Sequence, residues 1–163
     1  MFKKLFHKQN TDFNIYSPVN GTSYDITKTP DEVFAQKMLG DGFSTSPTDG
    51  NIYSPIVGTI VSLFPTKHAV GIESDNGVQV LVHMGINTVE LKGIPFDIYV
   101  EEGDKVNSST KIATVDLDYL KNKNIKDDIV VVFTNMDKVK KININSYGTT
   151  SASDQIGSYQ VNK

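Results

Sequence analysis

The sequence predicts an all-β protein: an antiparallel β-sandwich with barrel character, built on a duplicated hybrid motif and carrying one or two short helices. Three observations predict it. An octapeptide occurs twice, "IYSPVNGT" at 15–22 and "IYSPIVGT" at 52–59, identical at six of eight positions. A hairpin pattern, "HAVGIESDNGVQVLVHMG" at 68–85, sets arms rich in Val, Ile and Leu around Asp75-Asn76-Gly77, the strongest short-range turn signal in the chain. The remaining apolar runs are short and separated by turn residues, as in sandwiches and barrels.

Each element follows in order. Residues 1–12 read as a flexible tail, and 13–163 as one domain, since 163 residues are enough for one core and do not call for two. In the tail, Phe2, Leu5 and Phe6 fall at helical spacing among Lys3, Lys4 and Lys8. That pattern suits weak contact with an anionic membrane surface, although so short a helix is marginal in water. His7 belongs to the tail and receives no role. Each copy of the octapeptide reads as a strand broken by a turn, with Pro18 and Pro55 at bends because proline donates nothing to a ladder. Two copies point to a duplicated, pseudo-symmetric β motif, not a solenoid.

Between the copies, "TPDEVFAQKMLGDG" predicts a helix over residues 30–39. Thr29 is the expected N-cap, Pro30 suits the first helical position, Glu32 completes a capping box and Gly40 suits the left-handed C-terminal cap. Val33, Phe34, Met38 and Leu39 form its apolar side. After the hairpin come strand candidates in "GIPFDIYV", "KIATVDL", "DDIVVVFTN" and "VKKININSY", with a turn at "EEGDK" and a helical or turn segment over 117–121. The polar ending "SASDQIGSYQVNK" predicts at most one edge strand.

Composition narrows the function. The chain has no cysteine, which removes thiolate catalysis, cysteine zinc sites and disulfides and fits a reducing compartment, the cytoplasm. A net charge of −3 carries no clustered basic footprint for nucleic acid. No apolar stretch approaches the roughly 20 residues of a spanning helix, and the start lacks a secretory apolar segment.

His68 and His83 stand on opposite arms of the hairpin. Paired positions in a hairpin have a constant sum, and a slip of one residue moves every side chain to the other face. A loop of Asp75-Asn76 gives a sum of 151 and sets His68 opposite His83. A loop of Asn76-Gly77 gives 153 and leaves the two diagonal on one face. A three-residue loop gives 152 and would point them to opposite faces. Two of the three registers make them neighbours.

"GVQVLVHMGINTVELKG" (77–93) closely resembles the segment around the phosphorylated histidine of the glucose-family enzyme IIA of the bacterial phosphotransferase system. "PTKHAVGIES" (65–74) resembles that family's second histidine segment, and "PDEVFAQKMLGDGF" its N-terminal helix and turn. The resemblance runs from about Ile15 to Lys141. It implies a duplicated antiparallel β-sandwich and a phosphoryl carrier, which takes its group from the phosphocarrier protein HPr and passes it to the IIB domain of a sugar permease. By position His83 matches the phosphorylated histidine, His68 its partner and Thr66 the hydroxyl that orients that partner. Asp31 matches an acidic position near the docking surface. Members often carry Asp at the position of Asn87, so a charge near the permease-facing surface is missing here, and "VNSSTKI" lacks a Gly-Asp expected in its turn.

The residues suit that chemistry. An imidazole is neutral near pH 7 and makes a good phosphoryl nucleophile, and a second one can donate to the equatorial oxygens in flight. Thr66, two residues before His68, would face the same way on a strand and accept from the other ring nitrogen, fixing the tautomer. Phe64, Leu81 and Val89, with Phe34 and Met38 of the helix, are expected to form an exposed apolar rim that excludes water under a docked partner. No cofactor or metal is implied. A zinc peptidase would want His-x-x-x-Asp and His-x-His, where this chain has Ile72 and Gly85. A biotinyl or lipoyl carrier would want a flanked attachment lysine that Asp137-Lys138 does not supply. A purely regulatory protein, docking others according to its phosphorylation state, would use the same residues.

Overall fold

The computed structural model describes residues 12–162. The expected amphipathic pattern at 2–8 lies outside the described residues. The strands are β1 (Asp12–Tyr16), β2 (Gly21–Asp25), β3 (Asp41–Pro47), β4 (Asn51–Tyr53), β5 (Gly58–Leu63), β6 (Ala69–Glu73) and β7 (Gln79–Met84). They continue as β8 (Phe96–Ile98), β9 (Lys105–Val106), β10 (Lys111–Val115), β11 (Ile129–Phe133), β12 (Val139–Ile144), β13 (Gly148–Thr150) and β14 (Gln155–Val161). Two short helices, α1 (Glu32–Ala35) and α2 (Leu117–Asn122), complete the α and β elements. All pairings among the strands are antiparallel.

The duplication extends well beyond the repeated octapeptide. The large sheet runs β13-β2-β3-β11-β7-β6-β5-β9, and two small sheets run β1-β14-β12 and β4-β10-β8. Outward from the central β11/β7 pair the large sheet mirrors itself strand for strand, and the small sheets correspond likewise. Seven strands therefore occur twice: β4 to β10 form one continuous copy, set between β3 and β11 of the other. Even the irregularities match. Tyr16 lies opposite Gln155 with a bulge at the Ile15/Tyr16 step, and Tyr53 lies opposite Lys111 with a bulge at the equivalent place. The two octapeptides clasp each other reciprocally, Tyr16 N–H donating to Pro55 O at 2.8 Å and Tyr53 N–H to Pro18 O at 2.7 Å. Within each copy a serine hydroxyl closes the bend, Ser17 Oγ to Val19 O and Ser54 Oγ to Ile56 O.

Alternation decides the two faces of the large sheet. Phe43, Val70, Ile72, Val80, Val82, Met84, Ile129, Val131 and Phe133 point into the main core. The outer face bears α1, which sits on a second apolar cluster of Ile26, Phe34, Ile86, Val130 and Val132.

Expectations about the helix and the last strand are corrected here. The helix spans one turn, Glu32–Ala35, not residues 30–39. Thr29 cannot cap it, because its hydroxyl is buried against Ser44 Oγ at 2.6 Å. Asp31 caps instead, its Oδ1 accepting from Val33 N–H at 2.8 Å and Phe34 N–H at 3.4 Å. The left-handed end residue is Lys37 (φ +58), with Lys37 N–H donating to Phe34 O and Met38 N–H to Val33 O, the paired closure of a Schellman end. Gly40 serves entry to β3, where a Cβ would lie 1.8 Å from Phe133 O.

The hairpin takes the 152 register, with Val70 opposite Val82 and Ile72 opposite Val80. Gly77 N–H donates to Ser74 O, Ser74 N–H donates to Val78 O, and Gly77 adopts φ +89, a three-residue loop closed by a left-handed glycine. Finally, β14 is the middle strand of its sheet, not an edge. Ile156 and Tyr159 are buried in the core while Gln155 is exposed, and Gly157 lets the backbone of β12 approach closely.

Candidate functional site

In the 152 register His83 lies opposite Ala69 and beside Val130, on the outer face of the large sheet. Strict alternation would send His68, one residue before Ala69, to the core face. His68 instead occupies a bend before β6 begins, and its ring centroid lies 5.1 Å from that of His83, edge to face. The two imidazoles are neighbours, but through a kink and not through either register that predicted it. Ala69, small and buried beneath them, leaves the room.

Backbone turns shape the site. The chain turns over residues 64–67, closed by Lys67 N–H donating to Phe64 O at 2.8 Å. Thr66 therefore sits on a turn, not on an extended strand, and still places Oγ1 2.6 Å from His68 Nδ1. After β7, Gly85 adopts φ +80 and its carbonyl oxygen lies 2.8 Å from His83 Nδ1. A carbonyl only accepts, so Nδ1 carries the proton and Nε2 keeps its lone pair.

Four rings form a row, Phe64, His68, His83 and Phe34, with successive centroids 5.3, 5.1 and 5.0 Å apart. Phe64, Val89 and Met38 are exposed, at 38%, 47% and 67%, and Leu81 is half-buried two residues before His83 on the same face. Phe34 was expected in this exposed rim and is corrected: it is 5% exposed, filling the cluster under α1 and offering only a ring edge to His83. Asp31, half-buried, is engaged as the cap of α1. Asn87 is exposed, in left-handed conformation (φ +59) ahead of the short 3-10 turn Thr88–Leu91, and its side chain caps nothing. Sequence reasoning missed the Gly85 carbonyl, for which the His-Met-Gly spacing was the available signal, and Ile94, exposed beside Gly93, which packs near Thr66 and Lys67.

Electrostatics keep both rings neutral at pH 7. Burial, and then the neighbouring His68, push His83 down from 6.5 to about 4, against the opposing pull of the Gly85 carbonyl and the Asp31 carboxylate. Burial lowers His68 as well. Because the folded state binds the His83 proton less readily than the unfolded chain, stability is full above about pH 6.5 and falls as pH drops toward about 4. The loss assignable to His83 is on the order of 2–3 kcal/mol. Urea unfolding at a series of pH values should show it in the wild type and not in His83→Gln; an equal decline in both would refute the assignment. Among the described residues, no third His, Cys, Asp or Glu joins the pair into a metal-holding group.

Residues 13–139 match the family described as phosphoenolpyruvate-dependent sugar phosphotransferase system, EIIA 1. The chain belongs to this family. Two curated EIIA proteins, both named PTS system glucose-specific EIIA component, show the extent of the likeness. That of Staphylococcus aureus (strain COL) is 45% identical over 148 residues, covering 88% of this chain and 89% of its own. That of Halalkalibacterium halodurans is 43% identical over 148 residues, covering 85% and 86%. A solved structure titled glucose permease IIA from Mycoplasma capricolum matches with a TM-score of 0.83 at 34% identity, over 91% of this chain and 96% of that one. As an EIIA family member the chain is a component of the sugar phosphotransferase system with a β-sandwich fold.

The histidine pair occurs in one structural repeat only. Val132 lies opposite Gly42 as His83 lies opposite Ala69, so the counterparts of His83 and His68 are Val132 and Asp41. Val132 is fully buried under α1, and Asp41 pairs with Lys37 at 3.4 Å.

Proposed function

We propose that this EIIA protein carries a phosphoryl group on His83, accepting it from phospho-HPr and donating it to the IIB domain of a glucose-type sugar permease at the cytoplasmic face of the membrane. The observation that carries the reading is the bond between His83 Nδ1–H and the Gly85 carbonyl, in a ring that burial holds neutral. It aims one unprotonated nitrogen, Nε2, at an incoming phosphorus. In the forward step the Nε2 lone pair forms the N–P bond as the bond from phosphorus to the donor breaks, and the donor leaves with that electron pair. In the onward step His83 is itself the leaving group, and a neutral imidazole leaves readily.

His68 stabilises the equatorial oxygens during transfer. For a neutral His68 to offer Nε2–H, its Nδ1 must be unprotonated, so the Thr66 hydroxyl must donate across the 2.6 Å contact. This reverses the accepting role expected from the sequence. Phe64, Leu81, Val89 and Met38 provide the apolar seat for partners, and Asp31 holds α1 in place beside it. The names of the relatives, and the length over which they match, support glucose as the sugar served. No helix among the described residues is long and apolar enough to cross a membrane.

The test is transfer between purified components. Protein charged with labelled phosphate by phosphoenolpyruvate, enzyme I and HPr should lose its label to an isolated glucose-type IIB domain. Retention of the label, with a control EIIA discharging under the same conditions, would refute the donor role. Asn87→Asp should leave acceptance unchanged and alter the rate of donation, because the position is exposed beside Val89 and makes no cap bond. Identical donation rates would show that the missing charge is neutral.

A further inference from the structure

Lys67 is the one residue between Thr66 and His68, and its backbone lies in the left-handed region, φ +57. An L-residue with a Cβ resists that region, which glycine and asparagine enter more readily. Strain of this kind persists only where the surroundings hold it. Here it coincides with the point at which the alternation of β6 fails.

The register makes the consequence concrete. Ala69 shares the outer face with His83, so an unbroken strand would turn His68 inward beside Val70. His68 keeps its ladder contact, its carbonyl accepting from Met84 N–H at 2.8 Å. Only the direction of the ring changes. The 64–67 turn ends on Lys67, and directly after it the imidazole stands 5.1 Å from His83 with Thr66 Oγ1 on its Nδ1.

The side chain of Lys67 offers no competing explanation. Lys67 is exposed, and its ammonium joins no ion pair among the described residues. Its stem lies over Gly93, where an added Cβ would sit 3.4 Å from Lys67 Cδ.

We propose that Lys67 is a positioning residue for phosphoryl transfer: its left-handed backbone turns His68 out of the β6 alternation and onto the face of His83. This rests on the transfer reading above, but the geometry can be tested without it. The role belongs to the conformation and not to the charge, so Lys67→Gly and Lys67→Asn should preserve it. Lys67→Val should not, since a β-branched residue resists the left-handed region most.

Two readouts separate the possibilities. The first is the through-space NMR contact between the His68 and His83 imidazole protons, measured on unphosphorylated protein. It should be present in the wild type and in the Gly and Asn variants, and weakened or lost in Lys67→Val. The second is transfer: Lys67→Val should accept phosphate on His83 nearly normally and donate it about tenfold more slowly, with the Gly and Asn variants close to wild type. A persisting imidazole contact in Lys67→Val would overturn the proposal, as would loss of donation in Gly and Asn equal to that in Val. If the wild type takes no phosphate, the transfer reading fails, and the imidazole contact alone still decides the positioning role.

Discussion

His68→Gln should accept phosphate on His83 but pass it on about 10²-fold more slowly, the scale of losing one aimed donor to a developing charge. On the proposed mechanism acceptance would depend on Nε2 of His83, which the Gly85 carbonyl orients through Nδ1 with no help from His68. On the same proposal donation would depend on the oxygens of the departing phosphoryl group being held while the N–P bond breaks, and the imidazole whose centroid lies 5.1 Å away would hold them. A glutamine amide has a donor but lacks the ring that packs between Phe64 and His83. Rapid-quench measurement of both half-reactions checks the split. Equal donation by wild type and variant would remove the role assigned to His68, and loss of acceptance would make His68 part of the acceptor itself.

Gly85→Ala should be the most damaging single methyl group near the site. The glycine adopts φ +80, a Cβ there would lie 2.5 Å from Thr88 Cγ2 and 3.2 Å from Lys126 O, and Thr88 is fully buried with its hydroxyl on Met84 O at 2.6 Å. Thr88 therefore cannot swing away without breaking that bond. Backbone strain and overpacking together should lower stability by about 2–4 kcal/mol. Relief of the clash would also shift the carbonyl that fixes the His83 tautomer, so acceptance should fall in the protein that remains folded. Urea unfolding and phosphate uptake at low temperature measure the two effects. A variant as stable as wild type with unchanged uptake would contradict this account of Gly85.

How much of this was legible in the sequence varies with the range of the interaction concerned. The repeated octapeptide announced the duplication, because both copies conserve the tyrosine and proline that clasp each other across the copies and the serine that closes each bend. Its extent was hidden, because counterparts such as Gln155-Ile156-Gly157 and Lys111-Ile112-Ala113 correspond in backbone pairing and bulge more than in side chains. The helix was overextended at its start because Thr29 is satisfied by Ser44, fifteen residues away, and at its end because lysine gives no sign of the left-handed closure at Lys37. Phe34 looked like rim from its place on the helix and is core because Ile26, Ile86, Val130 and Val132 converge beneath it. The histidine pair was visible by family likeness, whereas spacing pointed to it only through two registers that the hairpin does not take. The reason the two rings meet was not, since lysine gives no sign of a left-handed backbone at Lys67.

The central claim is that His83 is the phosphoryl acceptor. Intact-protein mass after incubation with phosphoenolpyruvate, enzyme I and HPr, run side by side for wild type and His83→Ala, tests it most directly. The account predicts one acid-labile phosphate on the wild type and none on the variant. A wild type that stays unmodified while a control EIIA is charged in the same tube, or a variant that still takes one phosphate, would contradict it.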